Sequence, residues 1–201
     1  MNSHSNTVTR TRPRIKDKRT AILQAALKVF AEGGVNGVPM PALAEQAGVG
    51  TGTIYRYFSS KEALVNELFR EEKLSLNRRL YSNLGKDLTP RESFALVWER
   101  MVAYTREAPA SYRFMELQDH RPYLDEQSRT MEHEAIAPIL DYYRRLQEQG
   151  VYRKDIRAEV LMALIWGAFV NLIRAERDGL FSLDQADIDA ARDACWSLCT
   201  G

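Results

Sequence analysis

Residues 42–61, ALAEQAGVGTGTIYRYFSSK, constrain this chain more than any other stretch. Leu43, Ala44 and Ala47 recur at helical spacing, and Ala44 is small enough to let a second helix approach closely. Gly48 falls where the first helix must stop in a left-handed conformation, which costs glycine little. Val49 and Ile54 then supply the apolar contacts that set the angle to a second short helix. Thr51, Gly52, Thr53, Tyr55, Arg56 and Tyr57 are left facing outward, offering hydroxyls, a guanidinium and one glycine where a backbone can come close. Two helices joined by such a turn, with a donor-rich outer face, predict a helix-turn-helix that sits in DNA.

The charge of the chain points the same way. Residues 1–61 hold nine Lys and Arg against three acids, a surplus of +6, although the 201-residue chain as a whole carries only +1. The remainder is therefore acidic, at −5. A basic first third on an acidic body presents one end to a polyanion.

The chain divides into a basic arm (1–16), a helix-turn-helix domain (17–60) and a helical remainder (61–201). Ile22, Ala25, Ala26, Val29 and Phe30 predict a first helix that Gly33 and Gly34 end. Pro39 and Pro41 lead into the helix-turn-helix, and Ser59 or Ser60 then caps a long helix that Gly85 closes. Thr89-Pro90-Arg91-Glu92 reads as a cap, a first-turn proline and an early acid. Pro109 starts a short helix, and Pro138 predicts a kink or a break within 124–148. Residues 157–178 form an apolar helix and 184–199 the last one. No stretch alternates with period two, so the expected fold is all-α, with about nine helices.

The first-helix pattern ILQAALKVFAEGG, the AGVG core and the closing GTIYRYFSSKEAL resemble the tetracycline-repressor (TetR) family of bacterial transcriptional regulators, over about Arg19 to Leu64. The resemblance implies a three-helix DNA-binding domain, a long connecting helix, and a C-terminal domain that dimerises and binds a small effector. It also implies DNA contacts from Thr51, Gly52, Thr53, Tyr55, Tyr57 and Lys61. Two departures stand out. Gly50 occupies the place of a usual serine, and VPMP (38–41) replaces the usual hydroxyl cap of the preceding helix. The arginine-rich arm offers replacement phosphate contacts.

Seven residues of helix span about 11 Å, close to one major-groove width. Thr51 and Thr53 can meet base edges or a thymine methyl, and Arg56 a guanine or a phosphate. Tyr55 and Tyr57 fit phosphates, which position the protein without reading sequence. Arg12, Arg14 and Lys18, with their basic neighbours Arg10, Lys16 and Arg19, can follow the minor groove or the phosphate backbone.

In the remainder, VLMALIWGAFVNLI (160–173) is apolar nearly all round and should be buried on more than one face. With Ile188, Ala191, Ala194, Cys195 and Leu198 of the last helix it would build a two-fold, four-helix interface between copies. A pocket for a mainly apolar effector, such as an aromatic one, would be lined by Trp98, Met101, Tyr104, Phe114, Met115, Tyr123, Met131, Ile136, Tyr143, Trp166 and Phe169. The alternative is a DNA-binding adaptor whose C-terminal half recruits a protein and senses no ligand.

Enzyme chemistry finds no foothold. Neither His120 nor His133 has a Glu three positions earlier, as a di-iron bundle requires, and there is no phosphate-binding glycine loop. Glu116, Asp119, His120 and His133 read as ordinary helix residues in preference to metal ligands, and no cofactor is expected. Cys195 and Cys199 read as buried small hydrophobes. The N-terminus has no apolar signal core, and no segment approaches about 18 continuous apolar residues. The expected partners are a double-stranded operator, a small effector and a second copy, with no membrane, in the cytoplasm.

Overall fold

Local chemistry sets most helix ends. The computed structural model describes residues 15–84, 87–117 and 120–201. Helix α1 (Ile15–Gly37) is regular until Gly34, whose φ of 71° and ψ of 161° only glycine adopts freely, so the expected stop is there. Helices α2 (Met40–Gln46) and α3 (Thr51–Tyr57) are short, and Gly48 between them has φ 64°. Ser60 caps α4 (Lys61–Tyr81) by accepting from the Ala63 amide at 3.1 Å. That helix ends at Tyr81, where Arg100 donates to the carbonyls of Leu80 and Ser82. Gly85, expected to close it, lies outside the described residues.

A full capping box opens α5 (Pro90–Glu107). The Thr89 hydroxyl accepts from the Glu92 amide, and the Glu92 carboxylate accepts from the Thr89 amide at 2.8 Å. There follow α6 (Pro109–Leu117), a 3-10 turn (Arg121–Tyr123), α7 (Glu126–Glu148), α8 (Ala158–Arg177) and α9 (Gln185–Thr200). Among the described residues there is no strand.

Pro138 does not break α7, which is assigned as one helix through it. The proline leaves the Glu134 carbonyl without its usual donor, yet both residues face solvent, where water can bond it.

Two cores share one rod. Helix α4, about 31 Å long at 1.5 Å per residue, places Leu64, Val65, Leu68 and Phe69 in the first core and Leu76 and Leu80 in the second. The first core joins these to Ile22, Phe30, Leu43 and Ile54 of α1–α3, and also takes Phe114 of α6 and Leu124. The second is built from α5, α7, α8 and α9, with Tyr112 of α6. Helix α6 packs along α1 and also meets α4 and α5, so it borders both cores.

The apolar helix α8 differs from expectation. Ala158, Leu161, Ile165, Phe169 and Ile173 face the second core, but Val160, Leu164 and Ala168 are exposed along the opposite side. Within one chain it is covered on a single face. By length and composition it would suffice to cross a membrane, but its inner stripe is part of a helical core. On α9, Ile188 and Cys195 turn into the chain's own core, which corrects their assignment to an interface; Ala190 and Ala194 are among the exposed positions. Burial pushes the Cys199 thiol up to about 11 and raises that of Cys195, so both remain protonated, inert core groups.

Candidate nucleic-acid interface

Helix α3 is held from behind. Ile54 is fully buried and Phe58, just past the helix, is 5% exposed, both within the first core. A helix pinned on one side must present the other. Gly52, Tyr55 and Arg56 are exposed on it, with Thr51 and Thr53 half-buried at its margins. Tyr57 is half-buried against the first core. The N-terminal end of α3 carries no side-chain cap at Gly50; only the Thr53 amide, donating to the Gly50 carbonyl at 2.8 Å, closes the first turn. Pro39 likewise caps α2 without a side-chain bond. Both departures read from the sequence are therefore real features of the backbone.

Beyond Arg56 itself, Lys18 reaches this face. It lines a cleft of about 380 Å³ with Ala21, Ala47, Gly48, Val49, Gly50 and Thr53, which brings α1, the turn and α3 together. Arg12 and Arg14 lie outside the described residues. Arg19, counted with the arm, is instead an internal tie. It pairs with Glu67 and, at 2.9 Å, with Glu71 of α4, and its guanidinium lies 5.8 Å from the Phe58 ring centre. Lys61 is also engaged within the chain: its ammonium donates to the Val38 carbonyl at 2.7 Å and sits 5.9 Å from the Phe30 ring. It locks the segment before α2 against α4, which leaves its remaining N–H groups for anything outside.

The residues expected around an effector separate into groups. Trp98, Met101, Tyr104 and Phe169 are buried together in the second core, with Tyr143 and Trp166 half-buried against it. Phe114 is instead fully buried in the first core, and Tyr123 packs on it while donating its hydroxyl to Asn36 at 2.6 Å. Met115 touches both cores. Met131 lines a separate surface groove of about 470 Å³ with Glu126, Gln127, Thr130 and Glu134. One central residue was missed. Tyr112 is 5% exposed and packs at right angles to Tyr104 and Phe169. Its position two residues before Phe114, on the other side of α6, was the available signal.

The junction between the two cores is densely tied. Asn66 is buried and fully used: it donates to the carbonyls of Glu62 and Tyr123 and accepts from the Asp125 amide at 2.9 Å. Glu116 of α6 is buried and pairs with Arg174 at 2.8 Å and with Arg177, both of α8. One turn away, Arg113 donates to the Ala31 carbonyl of α1. Helix α6 thus links α8 to the domain that carries α3.

Residues 22–68 match the family described as bacterial regulatory proteins, tetR family, and residues 69–200 match the tetracyclin repressor-like C-terminal domain. The chain belongs to the TetR family. It is accordingly a DNA-binding transcriptional regulator and not an enzyme. This TetR-family chain is 37% identical over 82 residues to the fatty acid metabolism regulator protein of Bacillus subtilis, a match covering 41% of this chain and 42% of that protein. It is 49% identical over 57 residues to the transcriptional repressor KstR of Rhodococcus jostii, covering 28% of this chain and 27% of the repressor. Both matches span less than half the length of those relatives. A solved TetR-family regulator of Vibrio parahaemolyticus is similar over nearly the whole chain, with TM-score 0.72 and 28% identity, covering 90% of this chain and 98% of that one.

Proposed function

We propose that this protein is a homodimeric, cytoplasmic repressor that reads a palindromic operator with α3 and leaves it when a small, mainly apolar effector binds its C-terminal helices. The DNA-reading part rests on one observation: α3 is fixed by Ile54 on one side and free of protein along Gly52, Tyr55 and Arg56 on the other. Arg56 and the two threonines take the base edges, and Tyr55 and Tyr57 the phosphates. Lys18 extends the contact from α1, with Arg12 and Arg14 of the arm beyond it. Lys61 contributes from the start of α4. The open apolar face of α8 supports pairing of two copies, which a two-fold operator requires. The α6 connection, through Glu116 to α8 and through Arg113 to α1, supports communication between an effector and α3.

Selection of binding sites from random DNA, followed by titration of the selected duplex, tests this reading. The selected sites should be inverted repeats with half-sites about one helical turn apart. Arg56→Ala should weaken binding of the dimer by about a hundredfold, one base contact of about 1–3 kcal/mol lost in each half-site, and relax preference at one position of each half-site. Sites without two-fold symmetry, or an unchanged affinity for the variant, would count against it. Removing residues 1–14, which takes away Arg10, Arg12 and Arg14, should weaken binding to all sequences alike. The slope of log affinity against log salt should then drop by about 2–3 for each arm, about 5 for the pair. An unchanged slope would dispose of the arm's role.

A further inference from the structure

Buried polar side chains in folded proteins nearly always find hydrogen-bond partners, and each one that does not calls for an explanation. Among the described residues, the indole N–H of Trp98 and the hydroxyls of Tyr104 and Tyr112 are buried without any such partner. The three residues are 2%, 3% and 5% exposed, so no bulk water serves them. They are also neighbours. Trp98 and Tyr112 both stand edge-on to Phe169, with ring centres 5.4 and 6.5 Å away, and Tyr104 stands edge-on to Tyr112 at 6.1 Å. Glu72, Arg79 and Ser111 lie around the Tyr104 hydroxyl; the Ser111 hydroxyl is the one group close enough to interact with it, short of well-formed hydrogen-bond geometry, so Trp98 and Tyr112 are the clearer orphans.

We infer that this ring cluster is the effector site and that its ligand is an uncharged aromatic compound bearing a hydrogen-bond-accepting carbonyl. The inference rests on the effector reading above and names the ligand class. An indole N–H can only donate, so a hydrocarbon leaves it as unsatisfied as before; the ligand must bring an acceptor. The walls are Phe169, Met101 and Trp166, which suit an aromatic body. The nearby cations are already answered, since Glu116 takes both Arg174 and Arg177 and Glu107 pairs with Arg79. At the other end the partly buried Glu72 carboxyl is raised, chiefly by burial, so that surroundings disfavour a further anion. Burial also pushes the Tyr112 hydroxyl up to about 12, which keeps it a donor. The rings pack edge to face, so the ligand enters by parting them and selects an open form of the helix cluster.

Calorimetric titration of the full chain with benzophenone, diphenylmethane and diphenylacetate tests the class, with DNA affinity measured in parallel. Benzophenone should bind at least about tenfold tighter than diphenylmethane, the worth of one satisfied buried donor, and tighter than the carboxylate. The Tyr104→Phe/Tyr112→Phe variant should lose about tenfold in benzophenone affinity. Its melting temperature should stay level or rise, because the removed hydroxyls have no partner in the free protein. Equal binding of ketone and hydrocarbon, preference for the carboxylate, no binding of the ketone, or a lower melting temperature in the variant each overturns the proposal. Ketone binding lost in the variant but without effect on DNA affinity upholds the site and overturns the switch. Release of DNA by the hydrocarbon as strongly as by the ketone keeps the switch and overturns the ligand class.

Discussion

Leu164→Glu should leave each chain folded, convert the dimer to monomers and weaken operator binding by about 10²–10⁴-fold, the usual gain from linking two binding modules. Leu164 is 45% exposed within one chain, so a charge there meets water and costs the monomer little. In a two-fold pair built on this strip, the introduced carboxylate of each copy would be buried in an apolar contact without a partner. The surroundings support the proposed pairing. Val160, Leu164 and Ala168 form a continuous apolar strip on α8, with Ala190 and Ala194 exposed on α9. Gly167 sits within the strip, and a Cβ built there would meet nothing within 4 Å of its own chain. Nothing inside the protomer requires that glycine, whereas a close helix approach from outside would. Gly167→Ala should therefore keep or raise protomer stability, by up to about 1 kcal/mol from helix propensity, while loosening the pair. Sedimentation equilibrium with DNA titration reads both variants; a Leu164→Glu dimer of unchanged affinity would put the interface elsewhere.

Features written into short stretches of sequence were legible. Gly34 and Gly48 adopt positive φ because the chain must turn where only glycine turns cheaply, and Thr89 with Glu92 forms its capping box within four residues. The uncapped starts of α2 and α3 were visible for the same reason, as Pro39 and Gly50 have no oxygen to offer. Pro138 was not, because whether a proline breaks a helix depends also on its surroundings, including what else the freed carbonyl can bond. Here the Glu134 carbonyl faces water.

The residues whose roles changed all have distant partners. Arg19 is basic in the sequence, but 48 residues later Glu67 takes its charge, and Lys61 reaches back to Val38. Phe114 and Tyr123 looked like lining for an effector because they are aromatic. Packing of α6 on α1 instead puts Phe114 in the first core, and the 3-10 turn against α4 brings Tyr123 to the same core. Composition gave α8 as apolar all round, yet it could not say which side its own chain covers. That is decided by α7 and α9, and the side left over is where the second copy is expected.

Glu116→Ala should lower stability by about 2–3 kcal/mol, which for a chain of this size is about 5–10 °C in melting temperature. The Glu116 carboxylate is 1% exposed, whereas Arg174 and Arg177 are 45% and 34% exposed. Losing the buried acid removes both charge-assisted bonds and leaves a cavity in α6, but the arginines can regain water, which holds the cost below the full 3–5 kcal/mol of stranding a buried charge. Glu116→Gln keeps the volume and one acceptor oxygen, so it should cost less than the alanine change. A double-mutant cycle with Arg174→Ala should give a coupling of about 1–2 kcal/mol, because the second change then removes a partner already lost. The same pair bears on signalling. Glu116 fastens α6 to α8, and Arg113 on the same helix bonds to the Ala31 carbonyl, so in the proposed switch a shift of α8 would pass to α1 through that fastening. Glu116→Ala should accordingly retain DNA binding at temperatures well below its melting point while the effector's hold over that binding declines. If the variant released DNA on effector addition as fully as the parent chain, the signal would have to travel through α4 alone.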